Sequence, residues 1–155
     1  MRKAILTIVA IVSLTLAGIG FAQHSHEHNV NATDNRILVQ FPDALKQHTL
    51  TNMRAHLLAL ANIQEAIGKA DYDKAAKIAE QQLGMTSLKQ HGASENAKYM
   101  PQAMQDIGTT MHRSASQFAI EIQNSSATGD IKPAMLSLSK TTQACVACHA
   151  GFRLQ

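Results

Sequence analysis

The chain's two cysteines, Cys145 and Cys148, stand three residues apart near its end, and His149 follows directly. On a helix, positions i, i+3 and i+4 share one side. Two thiols so placed can each add to one vinyl group of a haem, while the histidine reaches the iron from one face. C-x-x-C-H is the sequence signature of covalent c-type haem attachment. Three other chemistries use the same residue types. A thioredoxin-like pair needs a strand-to-helix setting, where the helix dipole lowers a thiol pKa, and these cysteines sit near the end of a helical pattern instead. A zinc site wants a fourth ligand at fitting spacing, and no second Cys or His pair presents itself clearly. A disulfide across so small a loop would constrain the unfolded chain little. Haem attachment is the reading these residues favour.

The elements that must hold this motif are helical. The chain has 155 residues and no Trp, and is rich in Ala, Leu, Met, Gln and Lys, which form helices well. That length suits one domain with a real core. Asp43 can cap a first helix over 43–67, closed by Gly68. Leu50, Met53, Leu57, Leu60 and Ile67 fall within about 60° of Met53 at helical spacing, which makes one stripe. Asp71 can cap a second helix carrying Tyr72, Ala76, Ala79 and Leu83, with Gly84 behind it. Residues 85–99 read as a long connection. Pro101 suits the first turn of a third helix, whose stripe is Met104, Ile107, Met111, Ala115, Phe118 and Ile122. Asp130 can cap a fourth, with Pro133 in its first turn. Met135, Leu138, Thr142, Cys145, His149 and Phe152 form its stripe. No strand-like alternation is seen. The pattern predicts an all-α protein, an antiparallel four-helix bundle.

The first residues belong to a different pattern. Arg2 and Lys3 precede an uncharged apolar run from Ala4 to Leu16, and Gly20 and Ala22 supply small residues before a cleavage point. This is the form of a secretory signal peptide. The alternative is an uncleaved anchor, but the small-x-small ending favours cleavage near Ala22. The expected organisation is therefore a signal peptide at 1–22, a mobile histidine-containing tail at 23–41 and the helical domain at 42–155. Such a chain is expected in the periplasm, with no stable membrane insertion once the leader is removed. Arg2 and Lys3, with no acid beside them, account for two of the three net positive charges. The basic balance thus argues weakly for a nucleic-acid partner, and no basic run tracks phosphates. No nucleophile, base and oxyanion arrangement emerges, so an enzyme is not expected.

Cys145, Cys148, His149, Phe152 and Arg153, near the end of the last of four helices, resemble the motif of the class II cytochromes c. These comprise cytochrome c′ and its low-spin relatives. The resemblance covers about residues 43–155. It implies one covalent haem c near the C-terminal end of the last helix, with Cys145 and Cys148 as tethers and His149 as the proximal iron ligand. It leaves the opposite position open. In cytochrome c′ that face carries an apolar residue of the first helix, and the five-coordinate iron binds nitric oxide or carbon monoxide. In the low-spin relatives a methionine closes the site and the protein transfers electrons. Family members often dimerise through their first two helices, so a homodimer is a candidate assembly, and periplasmic redox proteins are the implied partners.

Geometry favours Met53 for the sixth position. In an antiparallel bundle His149 lies about 27 Å above Ile131, and Met53 about 21 Å from Ile67 at the same end, which is level to about one turn. Thioether ligation raises the reduction potential of a histidine-bound haem. His56, on the edge of the same face, is the rival ligand. His48 points about 140° away from Met53 and is set aside. His91 and His112 are expected in surface or loop roles. Arg153 and Arg54 are candidate partners for haem propionates, since Arg matches carboxylates. His24, His26 and His28 alternate in the tail and share one side of an extended chain. They form a candidate secondary site for copper, nickel or zinc; the plainer reading is a soluble tail. The expected function is electron transfer through a His/Met-ligated haem. Gas binding at a five-coordinate iron is the alternative, and metal binding by the histidine tail is the third reading.

Overall fold

The computed structural model describes residues 33–155. The expected signal peptide and His24, His26 and His28 lie outside the described residues. The compact unit runs from Asp34 to Gln155. Helix takes 75% of the described residues, so the protein is all-α in class. In chain order the elements are β1 (Ile37–Val39), α1 (Asp43–Gly68), α2 (Tyr72–Gln82), a 3-10 turn at Met85–Ser87, α3 (Ala93–Ala97), α4 (Gln102–Thr128), α5 (Lys132–Gly151) and β2 (Phe152–Leu154). No helix among the described residues is long and apolar enough to cross a membrane.

Local chemistry sets most helix ends. Pro42 immediately precedes α1, and Asp43 puts an acid in its first turn, where the helix dipole favours negative charge. The chain leaves α1 through Ala70, which takes a left-handed φ of 55°. Asp71 then accepts from the Lys74 N–H at 3.2 Å and caps α2. Pro101 precedes α4, and Gly129 ends it at φ 72°, with its N–H on the Ser125 carbonyl at 2.9 Å. The Asp130 carboxylate accepts from the Lys132 N–H at 3.0 Å at the start of α5, and Pro133 sits in the first turn.

The helices pack as chain neighbours: α1 on α2, α2 on α4, and α4 on α5, while α1 and α5 scarcely approach each other. The main apolar cluster joins Ala59, Ile63 and Ala66 of α1, Ala75, Ala76 and Ala79 of α2, Phe118 and Ile122 of α4, and Ala134 and Leu138 of α5, with Leu83. Many alanines let the backbones come close, and Phe118 fills the remaining space. A second cluster joins Val39, Phe41, Met104 and Phe152, with Leu45, Ile107 and Cys148 against it.

Three expectations need correction. First, the tail does not run unstructured to residue 41. Ile37–Val39 pairs in parallel with Phe152–Leu154, and Val39 and Phe41 are buried. The strand is three residues long and its partner lies at the other end of the chain, so no local pattern announces it. The pairing sets the entrance of α1 beside the exit of α5. Second, the 85–99 connection contains a 3-10 turn and the one-turn helix α3. Third, the buried side of α1 is Thr49, Asn52, His56, Ala59, Ile63 and Ala66. It is rotated by about 90° from the Met53 stripe, and Leu57 is 69% exposed. The face that packs is made of polar and small residues, which hydropathy does not mark as core.

Candidate functional site

The C-terminal turns of α5 carry Cys145, Cys148 and His149 in one helix, as the spacing predicts. Both cysteines are free and half-buried. The Cys145 thiol donates to the Thr141 carbonyl at 3.4 Å. Cys148 leans on the cluster of Val39, Phe41, Met104 and Phe152. Burial pushes both thiols above the ordinary range, so both are neutral S–H groups near pH 7. That departs from a redox dithiol, which depends on a depressed thiol pKa. His149 is exposed at the last turn, and its side chain is free to take a ligand role.

The parallel strands bring a charged group to the same end. The Arg36 guanidinium donates to Asp34 at 2.9 Å through Nε and 2.8 Å through Nη2, and Nη1 reaches the His149 carbonyl at 3.4 Å. Arg153 Nε lies 3.4 Å from Asp34 Oδ2, the oxygen that Arg36 Nη2 also reaches. The hydrogen bonds from Arg36, aided by the charge of Arg153, hold the Asp34 carboxyl well below the usual carboxylate range. Arg153 thus lies near the Cys145–His149 stretch, and the acid it approaches is Asp34. Arg36 was not singled out in the sequence, because only the strand pairing carries it to α5. Arg54 is exposed and donates to Thr51 at 3.1 Å.

Met53 is half-buried on α1 and belongs to neither apolar cluster. Since α1 enters where α5 exits, Met53 lies ten residues in, about 15 Å from that end. A groove of about 360 Å³ runs along α4 and α5, lined by Ile107, Thr110, Ser114, Lys140, Gln143, Ala144 and Ala147. It contains neither thiol, nor His149, nor Met53, and is separate from the candidate site.

A second group of reactive side chains was missed. His56, His91 and His112 are all buried, where surface or loop roles were expected for the last two. They come from α1, the connection and α4. Ring centroids lie 4.6 Å apart for His56–His91, 5.6 Å for His91–His112 and 6.0 Å for His56–His112. His56 Nε2 is 3.4 Å from His91 Nδ1. The Ser87 hydroxyl donates to the Gly84 carbonyl at 2.6 Å, and its oxygen lies 3.3 Å from His91 Nδ1 and 3.4 Å from His112 Nδ1. His112 Nδ1 donates to the Leu83 carbonyl at 2.7 Å. Burial, then the neighbouring His91 and His112, push His56 down to about 4. Burial lowers His91 and His112 as well, against the hydrogen bonds to backbone at His112. A signal for this cluster existed at His56, which lies on the α1 helix at the spacing of Asn52 and Ala59. Nothing local marked its partners. Among the described residues, no group of three or more His, Cys, Asp or Glu side chains is arranged to hold a metal ion. Comparison of the chain with protein-family models, curated proteins and solved structures gives no match.

Proposed function

We propose that the protein is an exported c-type cytochrome that transfers electrons through one covalent haem. In this reading α1, α2, α4 and α5 are the four helices of an antiparallel bundle, and the haem lies between α1 and the end of α5. The observation that carries it is the set of two free, half-buried thiols one turn apart with His149 beside them, in the last turns of α5. The donor set fits: two neutral thiols for thioether bonds, an exposed imidazole for the iron, and an apolar cluster of Val39, Phe41, Met104 and Phe152 beside Cys148. When bound, the haem would supply an iron that cycles between Fe(II) and Fe(III). The chain's part is to tether it, to exclude water with the apolar cluster, and to set the potential through the ligands and their surroundings. Arg153 and Arg36 are positioned to offset propionate charge at the α5 end, in exchange for part of their hold on Asp34.

Met53 is the proposed sixth ligand. His56 is not carried into the proposal, because its Nε2 is taken up by His91. The second reading, a five-coordinate gas-binding haem, draws support from the rotation of the buried side of α1 away from Met53. The optical spectrum of the reduced protein separates the two. Sharp low-spin bands unmoved by carbon monoxide support electron transfer. Broad high-spin bands that shift with carbon monoxide support gas binding. In the first case Met53→Ala converts the iron to high spin. Haem that extracts into acidified acetone sinks both readings, since thioether bonds survive that treatment.

A further inference from the structure

The histidine cluster lies outside the proposed haem site, and its placement has a purpose of its own to explain. The segment from Met85 to Tyr99 adds little to the apolar clusters among the described residues: its one aromatic contact is the exposed Tyr99, edge-on to Phe41 at 6.0 Å between ring centroids. Apart from Gly84 at its edge, the residues it buries are Ser87, His91 and Asn96, all polar. It is therefore held to the helices by hydrogen bonds, with little hydrophobic support. Such a segment opens at a lower free energy than an apolar core.

His91 is the centre of that attachment. Its carbonyl accepts from Asn52 Nδ2 of α1 at 3.1 Å and from Asn96 Nδ2 at 3.2 Å. Thr49 of α1 donates to Asn96 at 3.4 Å. Its ring Nδ1 is met both by His56 Nε2 of α1 at 3.4 Å and by the Ser87 hydroxyl at 3.3 Å. The next residue, Gly92, turns the chain at a left-handed φ of 65°. Proton positions follow from the partners. The Leu83 carbonyl only accepts, so His112 Nδ1 carries a hydrogen. The Ser87 hydrogen goes to Gly84, so the Ser87 oxygen accepts. His56 Nε2 and His91 Nδ1 then face each other with a single proton between them. A proton taken up at the facing nitrogen would place two N–H groups nose to nose, and one taken up elsewhere on the pair would add a buried charge with no counter-ion.

We propose that this cluster is an acid-sensitive latch: proton uptake by the His56–His91 pair releases the 85–99 connection from α1 while the apolar core stays folded. The surrounding groups do not neutralise the added charge. From α1 the other titratable group is His48, exposed and facing Gly92, and it repels a charged His91. From α4, Arg113 beside His112 is exposed, and Lys89 in the connection is exposed too. From α2, the Glu80 carboxylate accepts from the Thr86 N–H at 3.1 Å and pairs with no ring. No carboxylate among the described residues forms an ion pair with these histidines. Relief must come from water, and the polar attachment is the part that can admit it. The lowered affinity of His56, His91 and His112 for protons is in the same direction.

Hydrogen exchange on the full chain tests this at pH 7.5 and pH 5, corrected for intrinsic rates and repeated at low urea. Amides of residues 88–97 should exchange at least tenfold faster at pH 5, at a rate that urea does not change. Amides at Phe118, Ile122 and Leu138 should stay better protected and should respond to urea, as global unfolding requires. In the His56→Gln/His91→Asn variant the pH effect on 88–97 should fall below threefold. The latch is overturned if 88–97 is as protected as the core, if its rate ignores pH, or if the variant keeps the pH effect. Should the variant fail to fold, ring-carbon NMR of the wild type decides: titration of both His56 and His91 at ordinary values overturns the latch, and titration displaced to lower pH supports it.

Discussion

Two parts of the domain are held by different forces. Where α2, α4, α5 and the second half of α1 meet, the contacts are Ala on Ala around Phe118, Ile63 and Ile122. Where the first half of α1 meets the connection and α4, they are Thr49, Asn52, His56, Ser87, His91, Asn96 and His112. Apolar packing is non-directional, insensitive to pH and shared by many neighbours, so it gives cooperative stability. A hydrogen-bonded cluster is directional and depends on proton positions, so it fixes one arrangement and yields to acid. The same helix, α1, passes from one regime to the other between His56 and Ala59.

Substitutions can break this contrast in order of size. Phe118→Ala should cost about 3–5 kcal/mol, because a fully buried aromatic leaves a cavity that small neighbours cannot fill. Denaturant unfolding should show the loss across all probes at once. Acid should act through the polar seam. His56 is lowered from 6.5 to about 4, so the unfolded chain binds more protons between those values. Stability present above pH 6.5 is lost as pH falls through that window, by on the order of 2 kcal/mol at pH 5. Comparison of wild type with His56→Gln at pH 7.5 and pH 5 isolates that loss from the carboxylates.

Smaller changes sharpen the contrast. Gly92→Ala and Gly129→Ala each force a side chain into a left-handed backbone, at about 1–2 kcal/mol. Gly92 lies in the polar seam, so its cost should appear in exchange of 88–97. Gly129 closes α4, so its cost should appear in the global midpoint. The Ser137 hydroxyl is buried on α5 without a partner among the described residues. Ser137→Ala should raise stability by roughly 0.5–1 kcal/mol by removing that desolvated group. Lys69→Ala removes an exposed pair with Glu65 and should leave the unfolding midpoint unchanged within error, because water and salt screen such pairs.

The sequence was most legible where hydrophobicity did the packing. The α4 stripe of Met104, Met111, Ala115, Phe118 and Ile122 is buried as its period predicts, with Ile107 half-buried. On α1 and α5 the same method turned the helices the wrong way. Leu57 and Met135 of the expected stripes are exposed, whereas Asn52, His56 and Thr141 are buried. A polar residue enters a core when another element brings it a partner, and hydropathy cannot know that. The C-x-x-C-H spacing was readable because its three groups lie within one helical turn and need no other element to be adjacent. Arg36, by contrast, reaches His149 only because β1 lies beside β2.

By itself, the sequence determined what is local: the helical class, the capping at Asp71, the breaks at Gly68 and Gly129, and the placement of Cys145, Cys148 and His149 on one helix. These follow from backbone preference and from the 3.6-residue turn, which act over a few neighbours. Tertiary structure decided what is distant. It joined the two chain ends through a three-residue strand, turned the buried side of α1 toward polar partners, and gathered three histidines from three segments. Those outcomes depend on which surfaces meet after collapse, and on whether a buried polar group then finds its hydrogen bond.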